Sequence, residues 1–146
     1  MFWLLRDYLS EGRRWLQEAL AMGGRGSPEV RAMALAGAGW LAREQGEQDR
    51  AKEACEEGIE LLTKESRERS EAKIILLACL GWVALEREEH SQAKELYEEG
   101  LALSRQMSDT WWLANSLLGL AFVSHNRGDY ERATELYEES MSLFRE

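Results

Sequence analysis

The chain carries one proline in 146 residues, and valine, isoleucine and threonine are scarce. So few helix breakers and β-branched residues argue against sheet; abundant Ala, Leu, Glu and Arg argue for helix. There is no excess of positive charge either: 27 acids face 18 bases, a net charge of −9. That balance repels phosphate backbones and anionic membranes, so no nucleic-acid ligand is expected. No apolar run reaches the roughly 18 residues of a membrane span. The opening MFWLLRDYLSEGRRW is charged after its first few residues, unlike a secretion signal. Cys55 and Cys79 are the only cysteines, in helix-like stretches far along the chain from His125. They read as small buried side chains of a reducing compartment. A cytoplasmic protein outside the membrane is the expectation.

Catalytic patterns are lacking too. HExxH, CxxC, GxxxxGK[ST] and GxSxG are all missing, and His90 and His125 have no partner at metal-ligand spacing. No enzyme activity, metal or cofactor is expected. The acidic pairs Glu56-Glu57, Glu98-Glu99 and Glu138-Glu139 recur at one place in a repeat. Equivalent helices two spacings apart stand roughly 16–20 Å from each other, too far for paired acid/base work. A solvated outer face is the simpler reading.

What the chain does have is a repeat. GWLAREQGEQDRAKEACEEGIEL from Gly39, GWVALEREEHSQAKELYEEGLAL from Gly81 and AFVSHNRGDYERATELYEESMSL from Ala121 align without a gap, offset by 42 and 40 residues. Small residues share two columns, Gly39/Gly81/Ala121 and Ala51/Ala93/Ala133, and so allow successive helices to approach closely. Cys55/Tyr97/Tyr137, then Gly58/Gly100/Ser140 and Ile59/Leu101/Met141, continue a stripe at helical spacing. Between the small columns lie the polar turns at Gly46, Glu88 and Gly128. Glu88 interrupts the glycine column, which predicts a more ordinary backbone there. Writing A and B for the two helices of a hairpin, the predicted order is B at 8–22, A at 29–45, B at 48–65, A at 68–87, B at 90–106, A at 109–126 and B at 130–145. Ser27-Pro28-Glu29 is a start signal for one A helix, and Ser108-Asp109 is read as the same signal for the last.

These columns resemble the tetratricopeptide repeat: a small residue late in helix A, a turn, an alanine in helix B, then an aromatic, a small and an aliphatic residue. The resemblance implies an all-α right-handed superhelix of antiparallel hairpins. Full repeats are expected at 29–65, 68–107 and 109–146, with a partial one at 1–22. The period of 40–42 exceeds the family's 34, and helix-forming residues such as Thr63 to Ala72 lengthen the hairpins by about one turn. Starting inside a repeat, the chain is expected to be an excerpt of a longer protein. The strings GRRWLQEAL (Gly12 to Leu20) and AGWLA (ending at Ala42) are similar to long-period repeat regions of bacterial signal-transduction ATPases and of LuxR-type or AfsR-like transcriptional regulators.

The resemblance implies that the column Trp40/Trp82/Phe122 faces a concave groove, flanked by Arg43, Leu85 and His125. Met33, Ala36, Ile75, Ala78 and Leu118 complete its floor. Such a groove would hold a protein or peptide segment. Two other readings stay open: a small-molecule inducer sensed on the same face, and homodimers formed through uncapped terminal helices. The opposing expectation for the rings is burial between neighbouring A helices. Trp111, Trp112, Met141 and Phe144 are interface candidates, and one ring of the Trp111-Trp112 pair is expected to turn inward because adjacent helix positions diverge by about 100°.

Overall fold

A computed structural model describes residue 21, residues 27–64 and residues 71–145. Within them lie six helices: α1 (Pro28–Glu44), α2 (Gln48–Lys64), α3 (Glu71–Glu86), α4 (His90–Met107), α5 (Thr110–Asn126) and α6 (Tyr130–Phe144). They make three antiparallel hairpins, α1–α2, α3–α4 and α5–α6, and the described residues contain no strand. This is the all-α, tetratricopeptide-like stack that the columns predict. The partial repeat at 1–22, the loop around Gly24 and the stretch 65–70 lie outside the described residues.

Local chemistry fixes the helix ends. The Ser27 side chain accepts from the Val30 N–H at 3.3 Å, with Pro28 in the first turn of α1. At the last A helix the expected cap is displaced by one residue. Asp109, not Ser108, caps α5, its carboxylate accepting from the Trp112 N–H at 3.0 Å. Ser108 instead ends α4 in the left-handed region, φ 54°, with the Asp109 amide donating to the Ser104 carbonyl at 3.0 Å. One residue must close one helix and the next must open another, and the carboxylate is the stronger acceptor for the new helix.

The three hairpin turns share one geometry. Gly46, Glu88 and Gly128 take φ of 77°, 61° and 82°. The following amides, Glu47, Glu89 and Asp129, donate to Ala42, Ala84 and Ser124 carbonyls at 2.9, 2.8 and 3.0 Å. The ordinary backbone expected at Glu88 is therefore not found. Satisfying the last carbonyls of α3 across so short a connection demands a left-handed residue whatever its side chain.

The small columns bring the helices together. A methyl on Gly39 would stand 3.3 Å from the Ala51 carbonyl oxygen, and one on Gly81 would press on the Tyr97 ring at 2.7 Å. Helix α3 is buried on nearly every side, from Ala72 through Leu85, because α1, α2, α4 and α5 all pack on it. Among the described helices α1 touches α3 and α3 touches α5, whereas the B helices make no comparable contact with one another. Instead α4 and α6 splay over α5, leaving a cleft of about 410 Å³ lined by Lys94, Leu120, Val123, Arg127, Arg132 and Leu136. A helices therefore line the inside of the curve.

Candidate functional site

Trp40, Trp82 and Phe122 descend the inner side on α1, α3 and α5, and all three are half-buried. Each ring stands at the seam between consecutive A helices with part of its surface open, which lies between the two expectations. Trp82 meets Phe122 edge to face, centroids 5.0 Å apart, and Phe122 meets Tyr137 at 5.7 Å. Between Trp40 and Trp82 the bridge is ionic. The Arg43 guanidinium lies 5.3 Å from the Trp40 ring centroid and 5.5 Å from that of Trp82. Its Nε donates to Glu86 Oε1 at 2.8 Å and its Nη1 to Glu44 Oε1 at 2.7 Å, while Gln48 Nε2 reaches Glu86 Oε2 at 3.4 Å. Three polar side chains, one each from α1, α2 and α3, thus hold a single cation between two indoles.

The remaining groove candidates divide. Ile75 and Leu118 are half-buried and Met33 is exposed, whereas Ala36 and Ala78 are buried. Leu85 is core: it is 8% exposed and packs with Ala84, Ala93, Tyr97 and Val123. In the next copy His125 holds Leu85's column and is exposed, set edge-on to Tyr130 at 5.2 Å. Trp112 turns inward against Ile74, Leu77 and Leu103, and Trp111 turns outward onto Phe144 at 4.9 Å. Met141 is exposed beside them. The acidic pairs at 56–57, 98–99 and 138–139 all face solvent.

One column escaped the sequence reading. Cys79 and Gly119 occupy equivalent places, two residues before Gly81 and Ala121. The Tyr97 ring lies in the slot between Gly81 and Gly119, and a methyl on Gly119 would overlap it. Burial pushes the Tyr97 phenol well above its ordinary range, and its hydroxyl has no hydrogen-bond partner among the described residues. In the preceding seam Cys55 and Cys79 fill the same space. Their mutual hydrogen bond, then burial, pushes the Cys55 thiol up, so Cys55 is no ready nucleophile. The signal that could have found the slot is Gly119 itself, a glycine in the middle of a helix. It follows Ser116 by three residues, so one face of α5 carries two small side chains in succession.

Comparison with known proteins agrees with this geometry. Residues 113–146 match the family model for the tetratricopeptide repeat. Among solved structures the chain is similar to the crystal structure of BtubC (BKLC) from P. vanneervenii, with a TM-score of 0.85 at 16% sequence identity. The alignment covers 96% of this chain and 57% of that one, so the chain spans little more than half of that protein's length. No curated protein matches the chain.

Proposed function

We propose that the chain is a non-catalytic interaction module that holds a peptide segment of another protein along its A-helix face. A tetratricopeptide-like stack supports an interaction or scaffold role in general terms. The observation that carries the finer reading is the run Trp40, Arg43, Trp82 and Phe122: half-open rings already locked in place before any ligand arrives. Rigid aromatic anchors bind with little further loss of entropy. Arg43 is neutralised by Glu86 and Glu44, so the segment meets ring faces bordered by carboxylates. With a net charge of −9 on the whole chain, aliphatic or aromatic anchors flanked by Lys or Arg fit best. A place inside a cytoplasmic bacterial signalling or transcriptional regulator rests on the strings from Gly12 to Leu20 and ending at Ala42.

Peptides selected from a random library test the reading. Trp40→Ala and Arg43→Ala are each expected to weaken the selected peptides at least about tenfold, as hot-spot Trp and Arg residues do. Circular dichroism should show the helices intact, and the melting temperature, though lowered by the packing that Trp40 loses, should stay well above the temperature of the binding assay. Equal affinity for the doubly substituted chain would sink the proposal, as would a library that yields no binder while a small metabolite raises the melting temperature.

A further inference from the structure

The cleft between α4 and α6 repeats a place already present between α2 and α4, but the two copies pair their charges differently. At the end of α3 the Arg87 guanidinium is clasped by two carboxylates, Asp49 of α2 at 2.8 Å and Glu89 at 3.1 Å. The same column at the end of α5 holds Arg127. Ser91 of α4 stands in the column of Asp49, so the first clasping carboxylate is missing. Asp129 stands in the column of Glu89 but is turned to α6, accepting from the Arg132 N–H at 3.2 Å. The Arg127 side chain is therefore exposed, with no hydrogen-bond or ion-pair partner among the described residues. It opens instead on the cleft of about 410 Å³, whose floor is Leu120, Val123 and Leu136. The other cations at the rim are paired, Lys94 with Glu98 at 3.5 Å and Arg132 with Glu135 at 2.8 Å.

The cleft does not depend on what lies beyond α6. Its walls are α4, α5 and α6, and Arg132 and Leu136 stand on the side of α6 turned to α4, away from Tyr130 and Thr134. The earlier copy is followed by α5 and α6, and there Lys52 and Arg87 stay open over 31% and 32% of their side chains.

We propose that this cleft binds a small monocarboxylate with an apolar body, its carboxylate on Arg127 and its body on Leu120, Val123 and Leu136. An unpaired guanidinium offers two parallel N–H donors, a fork that carboxylates and phosphates accept. Glu98 and Asp129 border the same cleft. Their charge disfavours a dianion, so a carboxylate fits better than a phosphate monoester. The aliphatic floor, in a volume of small-molecule size, sets the rest of the ligand. None of the lining residues belongs to the Trp40, Arg43, Trp82 and Phe122 run, so the site is separate from the peptide-binding face.

Calorimetric titration of the full chain with octanoate and hydrocinnamate, one aliphatic and one aryl acid, tests the proposal. At least one should bind with a dissociation constant below about 1 mM. Octylamine should not bind, and octyl phosphate should bind more weakly than octanoate. Arg127→Gln, at an exposed position that leaves the helices intact, should weaken the acid at least about tenfold, the loss of a charged hydrogen-bonding partner. Ser91→Asp supplies the carboxylate that Arg87 already has, and should weaken binding several-fold while the guanidinium remains. Backbone-amide NMR shifts on binding should gather at Leu120, Val123 and Leu136. Failure of both acids to bind overturns the proposal, as does an affinity unchanged by either substitution. Tighter binding of octyl phosphate, or shifts that gather at Trp40 and Trp82 instead, overturns it equally.

Discussion

The two seams of the stack, α2 on α3 and α4 on α5, occupy the same register and are filled in opposite ways. In the first, two medium side chains share the space: Cys55 from the B helix and Cys79 from the following A helix, both fully buried. In the second, one large ring fills it, Tyr97 against the bare backbone of Gly119. Their inner rims differ as well. Ions bridge the first, Arg43 to Glu86 at 2.8 Å and Arg87 to Asp49 at 2.8 Å. Rings bridge the second, Trp82 to Phe122 at 5.0 Å. A seam therefore requires a filled volume at a fixed backbone separation, and that volume can be divided between its helices in more than one way.

The strongest way to break this comparison is to empty each seam in turn. Tyr97→Ala should cost about 3–5 kcal/mol, since the removed ring leaves a cavity that two glycines cannot collapse into. Cys55→Ala, removing one sulfur, should cost only about 1–2 kcal/mol. Urea unfolding followed by circular dichroism measures both. Equal losses would show that the seams are not alternative fillings of one space.

Gly119→Ala sharpens the point from the other side. Its methyl would overlap the Tyr97 ring, which Gly81 blocks from swinging away. Overpacking of about 1–3 kcal/mol should outweigh the roughly 1 kcal/mol that alanine adds to a helix. In a Tyr97→Cys background the same change should be neutral or stabilising. The sign reversal is the test, read from a double-mutant cycle.

Much of this order was legible in the sequence because it repeats. Gly39, Ala51 and their equivalents placed every described hairpin, and the Trp111-Trp112 pair divides as a helix requires. What escaped was pairwise. The slot for Tyr97 is marked by one mid-helix glycine, Gly119, whose meaning lies in the ring that α4 brings to it, and Leu85 looks like a groove residue until α5 covers it. Turn geometry was missed where a glycine was absent. Glu88 holds φ 61° because the hydrogen bond from Glu89 to Ala84 requires it, a constraint of the backbone that side-chain identity conceals.

Alkali separates the seams by their titrating groups. Both Cys55 and Tyr97 have folded pKa values raised above their ordinary 9.0 and 10.0. A raised value means that the folded state holds its proton more tightly, so stability is full below the ordinary value and is lost as pH rises above it. The first seam should begin to weaken above about pH 9 and the second above about pH 10, each by about 1.4 kcal/mol per pH unit. Cys55→Ala should remove the earlier loss and Tyr97→Phe the later one. At neutral pH Tyr97→Phe should be neutral or stabilising, because the hydroxyl it deletes is buried without a partner. In the hairpin between the seams, Glu88→Gly should add about 1 kcal/mol by relieving the left-handed strain, seen as a higher urea midpoint with unchanged slope.

The smallest effect tests the rims. Glu86 is about one-third exposed and Arg43 about one-fifth, so their pair is screened by solvent. Glu86→Gln should cost no more than about 1 kcal/mol at low salt, and the difference should fade near 1 M salt, where the Debye length falls to about 3 Å. Phe122→Leu, at the ring-built rim of the second seam, should cost a similar amount that salt does not diminish, because edge-to-face contact carries no net charge. Melting temperatures of both variants across a salt series decide the matter. Parallel salt dependence would mean that Arg43 holds the first rim by packing its guanidinium on the indoles rather than by charge.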